Sequence, residues 1–162
     1  MISNEKIKLT VESKLNKRIK SFTLLSGGCI SNAFRIICAD GSKYFLKFNS
    51  STSKDMFAKE ANGLNELAKA KAVRSPIVLS YSEDFILLEF ISPSNKKKSF
   101  FEEFGRSFAE LHKFTSESFG FFEDNYIGSN PQINIPREKE KQNRIKFYFN
   151  KRILYQLEIA EK

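Results

Sequence analysis

Residues 24–49 read LLSGGCISNAFRIICADGSKYFLKFN. Asp40-Gly41 is a strong hairpin signal, because a tight two-residue turn needs backbone angles that Asp and Gly tolerate. It joins two runs of strand character, Ala33–Ala39 and Lys43–Asn49. In the second run, alternation sends Tyr44, Leu46 and Phe48 to one face and Phe45, Lys47 and Asn49 to the other. Ahead of them Ser21–Ser26 is a further short strand, separated by the adjacent Gly27 and Gly28. A glycine pair there is either a plain turn or a backbone that must lie close to something, such as a row of phosphates.

Outward from this core, Ile7, Val11, Leu15 and Ile19 recur every four residues among lysines, which predicts an amphipathic helix over 4–19. Lys54–Ala70 is helical, with Phe57, Ala61, Leu64 and Ala68 on one face. Pro76 precedes two more strands, Ile77–Tyr81 and Phe85–Ile91. Five short strands with a helix after the third predict a small antiparallel α+β lobe over 1–92. The polar, turn-rich run 93–98 reads as a hinge or linker. Residues 99–162 read as the start of a second, mostly helical layer, the first helices of a truncated C-terminal lobe: a helix at Phe100–Phe114, an irregular aromatic-rich stretch from Thr115 to Pro136, and a final helix at Glu138–Glu161. The only histidine, His112, shares a helix face with Phe101 and Phe108 and reads as a packed structural residue.

The 162 residues suffice for an ordinary core, and the 41% hydrophobic content with 17 Phe excludes a disordered or fibrous chain. No apolar run reaches the ~18 residues of a membrane span, and no secretory signal is read at the N-terminus. Two cysteines, Cys29 and Cys38, suggest a reducing compartment, so a cytoplasmic protein is expected. The net charge of +8 invites a nucleic-acid reading. Its distribution argues against that: residues 1–20 carry +4 and 137–152 carry +5, whereas 21–136 hold thirteen charges of each sign. The basic character belongs to two flanking helical segments, whose lysines read as solvated faces.

Lys47 alone reads as a solvated strand residue. Glu60 is odder, since it lies about 300° from Phe57 around its helix, within the apolar arc. A carboxylate leaning into such a stripe needs a partner, and the preceding strand offers Lys47. A glycine turn, a strand lysine and a helix glutamate in this order are the parts of a kinase-like nucleotide lobe.

The stretches SGGCISNAFRI, KYFLKFN, FAKEANGLNELA, ILLEFI, FGRSFAELHKF, GFFEDNYIGSNPQ and FYFNKRILYQLEIAEK together resemble the N-terminal part of the fructosamine kinase (ketosamine-3-kinase) family. That family falls within the kinase-like, aminoglycoside phosphotransferase-like superfamily. The resemblance implies a protein-kinase-like N-terminal lobe and ATP-dependent phosphorylation of the sugar 3-hydroxyl of ketoamines such as glycated lysines, a protein deglycation. It places Lys47 on the ATP phosphates with Glu60 as its ion-pair partner, Gly27, Gly28 and Ser31 in the nucleotide loop, and Glu89 and Ile91 at the hinge near the adenine. Asp124, Asn125 and Asn134 fall near the family's sugar site. Arg144 stands where the family carries a Trp. The family's catalytic segment, a His-Gly-Asp run with a downstream Asn, and its metal-binding Asp would come after Lys162. The chain is therefore expected to hold no catalytic or metal-binding residue, to be inactive alone, and to share ATP and Mg²⁺ with its full-length family. Cys29, beside the glycines, is a redox candidate through an intermolecular disulfide, and the phenylalanine-rich surface predicts self-association. The alternatives are a non-catalytic nucleotide-binding or interaction module and a basic nucleic-acid binder.

Overall fold

Asn16 takes a left-handed backbone (φ 50°), a conformation that asparagine tolerates and that closes helices. It ends helix α1 (Asn4–Leu15) a full turn earlier than the four-residue spacing predicts. The Glu12 carboxylate then accepts the Ile19 N–H at 2.7 Å, and strand β1 (Ile19–Leu25) starts directly. Ile19 still joins Ile7 and Val11 in one core, but it reaches that core from a strand.

The computed structural model describes residues 4–25, 31–51 and 53–161. They fall into two compact units, Met1–Leu111 and His112–Lys162. In the first unit β1 is followed by β2 (Asn32–Cys38), β3 (Lys43–Phe48), helix α2 (Met56–Lys69), β4 (Val78–Tyr81) and β5 (Phe85–Glu89). The sheet runs β1-β2-β3-β5-β4 with every pair antiparallel, as the α+β reading predicts. Gly41 at the β2–β3 turn has φ 81°, and the Gly41 N–H bonds the Cys38 carbonyl.

Strand alternation divides the core in two. Phe34, Ile36, Cys38, Leu46, Phe48, Phe85 and Leu87 face α1 residues Ile7 and Val11. On the opposite face Ile86 and Leu88 pack against Phe57 and Ala61 of α2, with Phe45, Leu64 and Val78 partly buried around them. Full burial of such side chains stabilises the fold by about 1.5–3 kcal/mol each, and this second cluster is what seats α2 on the sheet. Ala68, expected on the buried face of α2, is exposed. Residues 92–97 have no regular structure and are exposed, and helix α3 (Phe100–Lys113) follows. His112 is exposed rather than packed. Among the described residues no helix is long and apolar enough to cross a membrane.

In the second unit the stretch expected to be irregular contains a hairpin, β6 (Asn125–Ile127) with β7 (Asn130–Gln132), turned at Gly128 with φ 65°. Pro131 masks it in the sequence, yet a two-stranded ribbon has only edges and tolerates proline. The final helix also differs from expectation. Glu138–Glu140 is a single 3₁₀ turn. The long helix starts only after Asn143, whose side chain accepts the Lys146 N–H at 3.0 Å. It runs through α4 (Arg144–Tyr148), a wide π segment (Phe149–Leu154) and α5 (Tyr155–Ala160).

Candidate functional site

Lys47 lies in an interior strand, paired with Ala33 of β2 and Ile86 of β5. Its side chain leaves the sheet on the α2 side. There its ammonium donates to the Glu60 carboxylate at 2.8 Å, with both groups about two-thirds buried. The pair is possible because Phe57 and Ala61 press α2 onto β5 and so hold Glu60 over β3.

Register places further groups on this face. Antiparallel partners share a face, so Thr23, Arg35 and Phe45 form one row across β1, β2 and β3, and Leu25, Ala33 and Lys47 form the next. Ser31 has the same parity as Ala33 and Arg35. Its Oγ and the Arg35 Nε are buried atoms without a hydrogen-bond partner among the described residues. Sequence reasoning passed over Arg35. A two-residue Asp40-Gly41 turn would have set Lys47 opposite Phe34 and sent Arg35 to the other face. The loop instead closes from the Cys38 N–H to the Ser42 carbonyl, which pairs Lys47 with Ala33 and brings Arg35 to the Lys47 side.

The other expected nucleotide residues are distributed as follows. Gly27, Gly28 and Cys29 lie outside the described residues. Glu89 closes β5, where its N–H bonds the Ile77 carbonyl and its carboxylate is paired with Arg74. Ile91 lies two residues beyond that strand and is exposed. Cys38 is a free thiol buried in the sheet's core.

Asp124, Asn125 and Asn134 come together in the second unit. Asp124 Oδ1 accepts the Asn134 and Ile135 N–H groups at 2.6 and 3.0 Å. The Asn134 amide, only 2% exposed, donates to the Glu123 carbonyl at 3.1 Å and to Asn125 Oδ1 at 2.7 Å. Its oxygen accepts from Gln132 at 3.0 Å and from Arg152 at 2.6 Å. An asparagine side chain has two donors and an acceptor with two lone pairs, so every valence of Asn134 is used inside the protein. Arg152 also donates to the Ile133 carbonyl at 2.7 Å and lies over the Phe147 ring. Burial pulls the Arg152 guanidinium below the ordinary arginine range.

A second buried cluster stands beside it. Glu140 Oε2 accepts the Arg137 N–H at 2.7 Å, Oε1 accepts from Asn150 at 2.8 Å, and the buried Lys151 ammonium stands 3.7 Å away. Burial pushes the Glu140 carboxyl up. The Arg137 N–H, the Asn150 amide and the Lys151 charge together outweigh it and hold the group below the usual glutamate range. Neither Arg152 nor this ion pair was legible in advance, because both depend on the π segment that sets which way the helix faces.

The model of the family described as "Fructosamine kinase" matches residues 2–162. The chain belongs to the fructosamine kinase family. It is 37% identical over 143 residues to a chloroplastic protein-ribulosamine 3-kinase of Arabidopsis thaliana, covering 84% of this chain and 42% of that protein. The corresponding rice protein (Oryza sativa subsp. japonica) is 33% identical, with 93% of this chain and 44% of that one covered. Among solved structures, a "Putative fructosamine-3-kinase" from Haemophilus somnus 129PT superposes with a TM-score of 0.80 at 27% identity, covering 96% of this chain and 53% of that one. Another of the same description from Thermobifida fusca gives 0.84 at 25% identity, with 98% and 55% covered. The chain thus spans about half the length of the family members it matches.

Proposed function

We propose that this chain supplies the nucleotide-binding part of an ATP-dependent ketoamine 3-kinase. The observation that carries the reading is the Lys47–Glu60 ion pair, formed between an interior strand and the helix packed over it. A lysine fixed by a carboxylate is positioned to neutralise phosphate charge rather than to drift in solvent. The residues fit a polyphosphate in a further respect: the buried Ser31 hydroxyl has no protein partner among the described residues. Lys47 would hold the phosphate chain and Glu60 would hold Lys47. Gly27, Gly28 and Ser31 would offer backbone and hydroxyl donors, and Glu89 and Ile91 would border the base. ATP, accompanied by Mg²⁺, supplies the phosphoryl group, and the acceptor is the sugar 3-hydroxyl of a ketoamine such as a glycated lysine.

Asp124, Asn125 and Asn134 would then shape the sugar side. Because Asn134 is fully committed within the protein, its contribution is to fix the loop that carries Asp124 and Asn125. A thiol at Cys29 would lie beside the phosphates and link nucleotide binding to oxidation, in a cytoplasmic setting. The exposed phenylalanines of α3 would favour self-association.

Calorimetric titration with MgATP tests the central claim. Wild-type protein should bind, Lys47→Met should lose tenfold or more in affinity, and Glu60→Gln should lose less, because the lysine remains but is no longer held. Binding without transfer to a fructosyl-lysine peptide is the outcome expected of this chain by itself, under this reading and the non-catalytic module alike. Absence of ATP binding together with steeply salt-dependent DNA binding would establish the nucleic-acid alternative.

A further inference from the structure

The face that carries Lys47 holds a second cation whose place in the fold calls for explanation. Arg35 belongs to β2, an interior strand flanked by β1 and β3. Its cross-strand neighbours on that face are Thr23 and Phe45, neither of which is an anion. Lys47 is its diagonal neighbour in β3, about 7–8 Å away by ordinary sheet spacing. Glu60, the α2 carboxylate that meets this face, is already paired with Lys47 at 2.8 Å. Helix α2 packs chiefly over β4 and β5 and reaches β3 through Phe45 and the Lys47–Glu60 pair.

Arg35 Nε is nonetheless buried and has no acceptor among the described residues. A buried donor left unpaired costs about 1–3 kcal/mol. A valine, isoleucine or threonine would fill the same strand position without that cost. Arginine's edge, made of Nε and one terminal nitrogen, is a planar two-pronged donor that matches two oxygens of one phosphate.

We propose that Arg35 is a second phosphate-binding cation of this site, donating through Nε and a terminal nitrogen to the phosphate chain of the bound nucleotide. The proposal rests on the nucleotide reading above and extends it. Lys47, held by Glu60, supplies a compact charge. Arg35, on the next strand, supplies a directional fork and recovers the hydrogen bond that its Nε lacks in the protein alone. The buried Ser31 hydroxyl, of the same strand parity, adds a neutral donor toward the same ligand.

The experiment is a set of titrations of the whole chain with MgATP and with adenosine, using wild type, Arg35→Gln, Arg35→Lys and Lys47→Met. Melting curves for each protein confirm that it is folded. Arg35→Gln should weaken MgATP about tenfold or more and leave adenosine within twofold. Arg35→Lys should recover only part of the loss, since it restores the charge without the fork. Unchanged MgATP affinity in Arg35→Gln, with Lys47→Met impaired, would overturn the proposal and leave the nucleotide reading intact. Equal losses for MgATP and adenosine in Arg35→Gln would also overturn it, because the residue would then be shaping the sheet. A wild-type chain that binds no MgATP would overturn both.

Discussion

Gly120 shows how tightly a single residue can be specified. Its φ of 106° lies where L side chains are rarely found, and a Cβ built there would sit 2.4 Å from the Asn134 carbonyl oxygen. The crowding follows from the loop's own bonding, since the Phe121 N–H donates to that carbonyl. Gly120→Ala should therefore destabilise the second unit by about 2 kcal/mol or more, read as a lower denaturant midpoint. Unchanged stability would mean that the backbone relaxes around the methyl group. Lys47 and Glu60 represent the legible extreme at this scale. One sits on a strand of known parity and the other in the apolar arc of a helix, so periodicity alone suggested that they meet. Asn134 and Arg152 represent the opposite extreme. Their partners lie 18 residues apart in the chain, and no local pattern announces that separation.

Among the elements, the long C-terminal helix owes its orientation to its wide π segment. Lys151 and Arg152 are consecutive, yet one reaches Glu140 and the other Asn134. Because the folded Glu140 carboxyl titrates below its ordinary range, its stabilisation is present above the unfolded pKa and fades as pH falls through the lower folded value. Glu140→Gln should thus cost about 1–3 kcal/mol at neutral pH. It should also flatten the loss of stability expected below about pH 4, measured by urea unfolding across pH. An acid limb of unchanged slope would assign the titration to other carboxylates. The exposed Lys17–Asp40 pair at the β2–β3 turn, 2.7 Å apart, holds Asp40 well below its usual range through hydrogen bonds from Lys17 and Ser42. Being solvent-exposed, it is screened by salt and contributes little. The sheet was readable because alternation and a strong turn each define it locally. The end of helix α1 and the 125–132 hairpin were not, since an apolar Ile19 suits helix or strand equally and Pro131 hides an edge.

Across the molecule, apolar surface is distributed unevenly. Phe100, Phe104 and Phe108 form a stacked ladder on α3, with ring centroids 6.1 and 5.7 Å apart, and all three are exposed. Contiguous aromatic surface of this kind is a common site of association. Sedimentation at increasing concentration should reveal larger species, and Phe104→Glu should shift the population toward monomer. A concentration-independent monomer in the parent chain would show that the ladder is tolerated in water. Composition had pointed to this surface through seventeen phenylalanines. It could not say which of them lie outside, because burial depends on how the helices pack.

The bonding of Asn134 also bears on how this protein can change over evolutionary time. Its short, planar side chain offers two donors and one acceptor, and all of them are engaged at once. A single base change in an asparagine codon yields Asp, His, Tyr, Ser, Thr, Ile or Lys, none of which presents that set on so short a group. Glutamine, the nearest chemical relative, requires two base changes and is a methylene too long. The position is an island in the genetic code, where each single mutational step forfeits part of the network that holds the second unit together.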